Sequence, residues 1–203
     1  MLIFEAGHTA WPAFYFAQMG NFNSHTDFFD ISYLQYGSAV QQEVFSLLKA
    51  SGILGMLSTW QPVLAGTIPI GVNIPGSDLD ILCSFTDKEL FMQDITNLFG
   101  EEAAFTITEM VLYGHDCVVA NFDKEGYPIE IFAQALPVQE QMGYRHMLIE
   151  HRLLLQYGES LRQQVIRLKL AGYKTEPAFC EALGIRGNAY LELLKLEDST
   201  SSL

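Results

Sequence analysis

Asp78 and Asp80 stand two residues apart, where the turn-rich stretch Gly66-Thr-Ile-Pro-Ile-Gly-Val-Asn-Ile-Pro-Gly-Ser77 gives way to an apolar run. At the start of a strand that spacing puts both carboxylates on one face. Two carboxylates held so close repel each other unless a cation sits between them, and Mg2+ commonly takes one or two carboxylates together with phosphate oxygens. Upstream, Gly66 lets a ligand approach the backbone without a Cβ in the way, and Thr67 adds a hydroxyl and an amide beside it. Gly71, Pro75 and Gly76 allow the loop to fold back. A phosphate at Gly66-Thr67 and a metal at Asp78 and Asp80 would then share one site, with Ser77 at its rim. The competing reading is a surface turn that the aspartates merely cap.

A third acid is carried by Ile129-Glu130-Ile131. In a strand, Glu130 faces away from both isoleucines, onto the opposite surface of the sheet. It is either a partner for the aspartates or a solvated glutamate paired to a surface lysine. Asp116 is a weaker alternative, and Asp123 and Glu125 fall in a turn. Eight of the 11 basic residues lie from Arg145 onward. Arg145, Arg152, Lys169 and Lys174 are the candidates to hold a triphosphate or an acceptor, with helix-surface pairing as the alternative. His146 and His151, five apart, are badly spaced for sharing a metal on a helix.

These groups need a scaffold. The pattern from Ser38 to Leu57 predicts an amphipathic helix capped by Ser38, with Gly52 near its end. Strands are expected at 62–65, 79–85, 105–113, 117–122 and 127–132, and a helix from Asp87 to Phe99. Gly114-His115-Asp116 and Asp123-Lys-Glu-Gly126 read as hairpin turns. After Pro137 the pattern is helical: 138–157 to Gly158, 160–171 to Gly172, a helix capped by Thr175 and stopped by Gly184, and a last one from Asn188 to Leu196. The expected class is α+β, a mixed sheet with flanking helices and a C-terminal helical part. The expected units are an irregular extension over 1–28, an α/β core over 29–137 and a helical part over 138–203. The aromatic segment before Asp27 has no Lys or Arg and no clean period, so Met19 could be the start of translation. The alternative is an arm that packs on the domain or on a second subunit of a homo-oligomer.

With 11 basic against 24 acidic residues the formal charge is -13, which speaks against long RNA or DNA as a partner, since that affinity rests on Lys and Arg. A single nucleotide neutralised by metal remains compatible. Cys83, Cys117 and Cys180 have no CxxC spacing and read as packing residues in a reducing compartment. No run is apolar and long enough for a membrane span, and the expected location is the cytoplasm.

The constellation Gly66-Thr67, Gly71 and Ser77-Asp78-Leu79-Asp80 resembles the signature of the nucleotidyltransferase superfamily, of the DNA polymerase beta type. At family level, residues 65–71 and 174–179 are similar to an uncharacterised bacterial family of nucleotidyltransferase-like proteins, a domain of unknown function. That likeness runs from about Asp30 to Leu196. The resemblance implies an NTP substrate, two Mg2+ ions held by Asp78, Asp80 and Glu130, and transfer of a nucleoside monophosphate to a hydroxyl of a small molecule or protein. Gly66, Thr67, Ser77, Arg145 and Lys169 would bind nucleotide. Two departures stand out: Thr67 replaces the usual Ser, and Ile68 and Ile70 occupy loop positions where small members often carry Arg. The rival readings are a non-catalytic nucleotide-binding or partner-binding module of toxin–antitoxin type, and a generic α+β domain whose acidic loop binds Ca2+.

Overall fold

A computed structural model of the chain describes residues 26–197. The expectations for Met19 and most of the N-terminal extension, and for the tail after Glu197, lie outside the described residues.

Asp30 opens a 3-10 turn, Ile31–Tyr36, by accepting from the Ser32 amide. Helix α1, Ala39–Ser51, starts at a capping box: the Ser38 hydroxyl accepts from the Gln41 amide while the Gln41 side chain accepts from the Ser38 amide. The continuous helix expected to Leu57 breaks at Gly52, which adopts the left-handed conformation and hands over to a single turn, α2, Ile53–Met56. Strand β1 is Val63–Ala65 and β2 is Leu79–Ser84. Helix α3, Lys88–Phe99, is capped by Asp87, whose carboxylate accepts from the Leu90 amide.

Strands β3 (Ala103–Leu112), β4 (His115–Lys124) and β5 (Tyr127–Gln134) follow as a meander. Its turns are tighter than the sequence suggested. Tyr113-Gly114 and Glu125-Gly126 all have positive φ, the two-residue turn whose twist matches that of the flanking strands. His115 and Asp116 therefore belong to β4, and Asp123 and Lys124 close its far end.

Beyond a 3-10 turn at Val138–Glu140, α4 spans Met142–Leu170 and consists of two helical stretches that meet at a kink at Gly158, where the sequence predicted the break. Gly158 has φ 67° and ψ -157°, which is non-helical and interrupts the helical hydrogen-bond ladder. Helix α5 is Thr175–Leu183; Lys174, not Thr175, occupies its cap position. Thr175 already has helical geometry, so its hydroxyl cannot serve as the expected cap. Helix α6, Ala189–Leu194, is capped by the Asn188 side chain.

The sheet order is β1-β2-β5-β4-β3, with β2 and β5 parallel and the other pairs antiparallel. Alternation along the strands divides the core in two. Leu79, Ile81, Cys83, Ile129, Ile131 and Ala133 point to the face covered by α1 and α3. Val63, Ala65 and Leu82 face Met147, Leu154, Leu161 and Val165 of α4 and Phe179 of α5. Asp80 and Glu130 fall on this second face, toward the long helix. No helix among the described residues is long and apolar enough to cross a membrane.

Gln41 links the two parts of its surroundings. Buried at 1 % exposure, it completes the α1 capping box and donates its amide to the carbonyls of Ile68 and Pro69, at 2.9 and 3.1 Å. Gln41→Leu strands those buried carbonyls as well as the cap. Its expected cost is about 2–4 kcal/mol of unfolding free energy, read from urea titration. A loss under about 0.5 kcal/mol, typical of a neutral surface change, would refute that role.

Candidate active site

Parallel pairing puts Asp80 of β2 directly beside Glu130 of β5. Asp78 precedes β2 by one residue, and all three line a cleft of about 660 Å3 between the sheet and the helical part. That is the usual size of a small-molecule pocket. Gly66 and Thr67 form the same wall, immediately after β1.

Gly66 has a second reason to be glycine. Its φ is +75°, and a Cβ there would stand 1.9 Å from Asp80 Oδ2. The missing side chain is the space the aspartate occupies. Ser77 also lines the cleft, and its hydroxyl accepts from the Ile74 amide at 2.9 Å, which closes the last turn of the loop.

The loop is fixed by side chains from two helices. Besides the Gln41 bonds, Arg162 donates to the carbonyls of Ile70 and Gly71, and Lys169 donates to that of Val72 at 2.9 Å. Five consecutive carbonyls, 68 to 72, are thus held from α1 and α4. Ile68 and Ile70 are fully buried, one in each half of the core. At these positions an arginine would be buried, so the departure from the small-member pattern reflects anchoring of the loop. The positive charges in the cleft come instead from Lys169 and Lys174.

Burial first, then the charges of Asp78 and Glu130, pushes Asp80 up to about 7. Glu130 is raised by burial and by Asp78, against an opposing pull from Lys174. Burial lowers Lys169, while Glu150, Asp78, Asp80 and Glu176 work to keep it charged. These directions describe a carboxylate cluster short of positive charge. The carboxylate oxygens of Asp78, Asp80 and Glu130, gathered in one cleft, are the hard donors Mg2+ takes. Among the described residues no group of three His, Cys, Asp or Glu side chains is arranged to hold a metal alone.

Among the remaining candidates, only His146 lines the cleft. Arg145 does not line the cleft; its guanidinium pairs with Glu197, with Nε at 3.0 and 3.2 Å from the two carboxylate oxygens. This long-range contact differs from both sequence readings, triphosphate binding and pairing within the helix. Asp116 sits 3.9 Å from Lys88, outside the cleft. His151 packs edge-on against Phe28, while His146 Nε2 is 2.8 Å from the Tyr190 carbonyl and Nδ1 is 3.5 Å from Glu176. All three cysteines are buried and free. Gln41 and Arg162, which hold the loop, and Glu150 and Glu176, which line the cleft, had no local signal beyond ordinary helix positions. Only their partners distant in sequence give them a role.

Among solved structures, the chain is similar to a Cid1 poly(U) polymerase bound to MgGTP, at 12 % identity and a TM-score of 0.50, over 70 % of this chain and 48 % of that one. A polymerase core of TRAMP, an RNA surveillance complex, aligns over 77 % of this chain and 48 % of its own at 12 % identity and a TM-score of 0.47. The GLD-2/RNP-8 complex aligns over 70 % and 56 %, at 14 % identity and a TM-score of 0.45. The chain spans about half the length of these structures. At such identity the first likeness shows the fold alone, a nucleotidyltransferase-like α+β sheet, and the expected exclusion of long nucleic acid finds no support in it. No curated protein matches the sequence. A family model does match, over residues 46–196, and the chain belongs to that family: DUF4269, a domain of unknown function.

Proposed function

We propose that this protein is a metal-dependent nucleotidyltransferase that moves a nucleoside monophosphate from an NTP to a hydroxyl of a small acceptor. The observation that carries the reading is the in-register pair Asp80 and Glu130, with Asp78 two residues before, facing the Gly66-Thr67 loop across one cleft. Asp78 and Asp80 would hold Mg2+ on the triphosphate, and Glu130 would hold a second ion on the acceptor side. When bound, the ions neutralise the charge that develops on the transferring phosphoryl group. The backbone and hydroxyl at Gly66-Thr67 would orient the phosphates. Lys169, tied to Val72, adds a fixed positive charge beside the aspartates. Glu130, whose carboxyl is raised by burial and by Asp78, would take the acceptor proton. The three free, buried cysteines accord with a reducing, cytoplasmic setting.

A non-catalytic nucleotide-binding module is the second reading, favoured by one observation: among the described residues no arginine lines the cleft. Glu130 separates the two. A binding module has no use for a carboxylate on the acceptor side, whereas an enzyme uses it in the chemical step. Glu130→Gln is expected to leave Mg–NTP affinity within about threefold of wild type and to reduce transfer at least about a hundredfold, the scale of a lost general base. Labelled NTP with cell extract as the acceptor pool measures the transfer. Equal transfer by variant and wild type would remove Glu130 from the mechanism, and no transfer by wild type with any NTP would leave the binding module.

A further inference from the structure

Strand order lays the cleft out as a line. The loop at Gly66-Thr67 follows β1 at one edge of the sheet, Asp80 stands on β2, Glu130 on β5, and β4 and β3 lie beyond. With the triphosphate on the β1 side, the space past Glu130 falls to the acceptor. Glu130, Phe132 and Gln134 alternate onto one face of β5 and all line the cleft. Its floor therefore runs about 13 Å from the Glu130 position to that of Gln134. The β3–β4 hairpin stands at this end, because Cys117, just after the turn, pairs with Gln134. Leu112 and Tyr113 of the hairpin line the cleft, and they are 37 % and 66 % exposed.

Tyr113 is the unusual member. Its φ is +51°, in the left-handed region, where a bulky side chain is strained and asparagine or glycine makes the same two-residue turn at lower cost. Neither burial nor turn preference accounts for a tyrosine here, whereas an aromatic ring presented to the cleft does. The hairpin also reaches the helical part: burial first, then Glu176 and Tyr113, push up the Tyr190 hydroxyl of α6. The sheet side of this end carries no charge, being lined by Leu112, Tyr113, Phe132, Gln134 and Met142. The two lysines of the cleft act elsewhere, Lys174 on Glu130 and Lys169 on Asp80. On the helix side, His146 and Glu176 face each other at 3.5 Å. The phosphates of an RNA end would meet no lysine or arginine among these residues. An apolar or aromatic body would cover Leu112, Phe132 and Met142 and lie against the Tyr113 ring.

We propose that the hairpin end of the cleft is an acceptor subsite for an uncharged alcohol with an elongated apolar or aromatic body, which packs on Tyr113 while its hydroxyl lies at Glu130. This deepens the nucleotidyltransferase reading and rests on it for the transfer step. In that step the acceptor oxygen bonds to the α-phosphorus and the bond from that phosphorus to the bridging oxygen breaks. Pyrophosphate leaves with the electron pair, and the hydroxyl proton passes to Glu130.

Binding is measured by ligand-observed NMR on the full chain with Mg2+ and a non-hydrolysable NTP analogue. The probes are phenyl-terminated alcohols from phenylethanol to phenylhexanol, each matched to the diol in which a hydroxyl replaces the ring, and a short oligouridylate RNA. Wild type is expected to bind one or more phenyl alcohols at least about tenfold tighter than the matched diol, and tighter than the RNA. Tyr113→Asn creates the Asn-Gly turn, so its thermal midpoint should equal or exceed that of wild type while the preference for the phenyl alcohol is lost. A gain in stability with a loss of acceptor binding separates a ligand-contacting ring from one that serves the fold. No preference for any phenyl alcohol, a preference retained in Tyr113→Asn, a midpoint several degrees below wild type, or tighter binding of the RNA overturns the subsite. If the preference depends on Tyr113 but wild type does not bind the Mg–NTP analogue, the subsite stands and the nucleotidyltransferase reading falls.

Discussion

Asp78→Asn combined with Asp80→Asn is expected to abolish Mg–NTP binding and, at the same time, to make the metal-free protein more stable at pH 8. The two effects have one cause. Asp80 is raised from 3.8 to about 7, by burial and then by the charges of Asp78 and Glu130. In the folded state it keeps its proton to higher pH than in the unfolded state, so the native protein binds more protons between those values. Stability then falls as pH rises from about 4 to about 7, and the full penalty persists above that range. At about 1.4 kcal/mol per unit, the penalty at pH 8 is on the order of 4 kcal/mol. Asparagine removes it. Thermal unfolding without metal should show the variant at least about 5 °C above wild type at pH 8, a shift that corresponds to a few kcal/mol in a chain of this size, with the gap closing near pH 4. Mg–NTP should then stabilise wild type and leave the variant unmoved. A variant that unfolds more easily at pH 8, or still binds Mg–NTP as wild type does, would place the metal elsewhere.

Gly66→Ala is the second large effect. The added Cβ would lie 1.9 Å from Asp80 Oδ2 and 2.9 Å from its Cγ, so the carboxylate must turn out of its position beside Glu130. The left-handed backbone adds about 1–2 kcal/mol of strain for alanine. Mg–NTP affinity should fall at least about a hundredfold, measured by calorimetry, because the aspartate is displaced from the metal (about 2.7 kcal/mol). Gly76→Ala is the control. It has φ +81° with nothing within 4 Å of its Cβ, so it carries backbone strain without a clash at the site. Equal losses in the two variants would show that loop strain, and not the position of Asp80, controls binding.

Much of this was legible in the chain because it depends on neighbours in sequence. The Ser38 and Asp87 caps and the strand runs around Asp80 and Glu130 follow from local rules of hydrogen bonding and alternation. Where local rules failed, the outcome turned on a single backbone conformation. Tyr113 and Glu125 take positive φ against their residue preference, which shortens both hairpin turns to two residues and moves Asp116 into a strand.

The three acids, by type and spacing, and the loop before them were set by sequence alone. Alternation could say which way Glu130 faces within its strand. It could not say that β5 would lie parallel to β2 with Glu130 beside Asp80, because strand order is decided by which apolar faces bury together. The same holds for the charges. Arg145 and Lys169 are equivalent as basic residues on a helix, yet one meets Glu197 at the surface and the other is buried against Val72 beside the aspartates. The direction each faces is fixed by the rotation of α4 on the sheet, a result of core packing that no local pattern encodes.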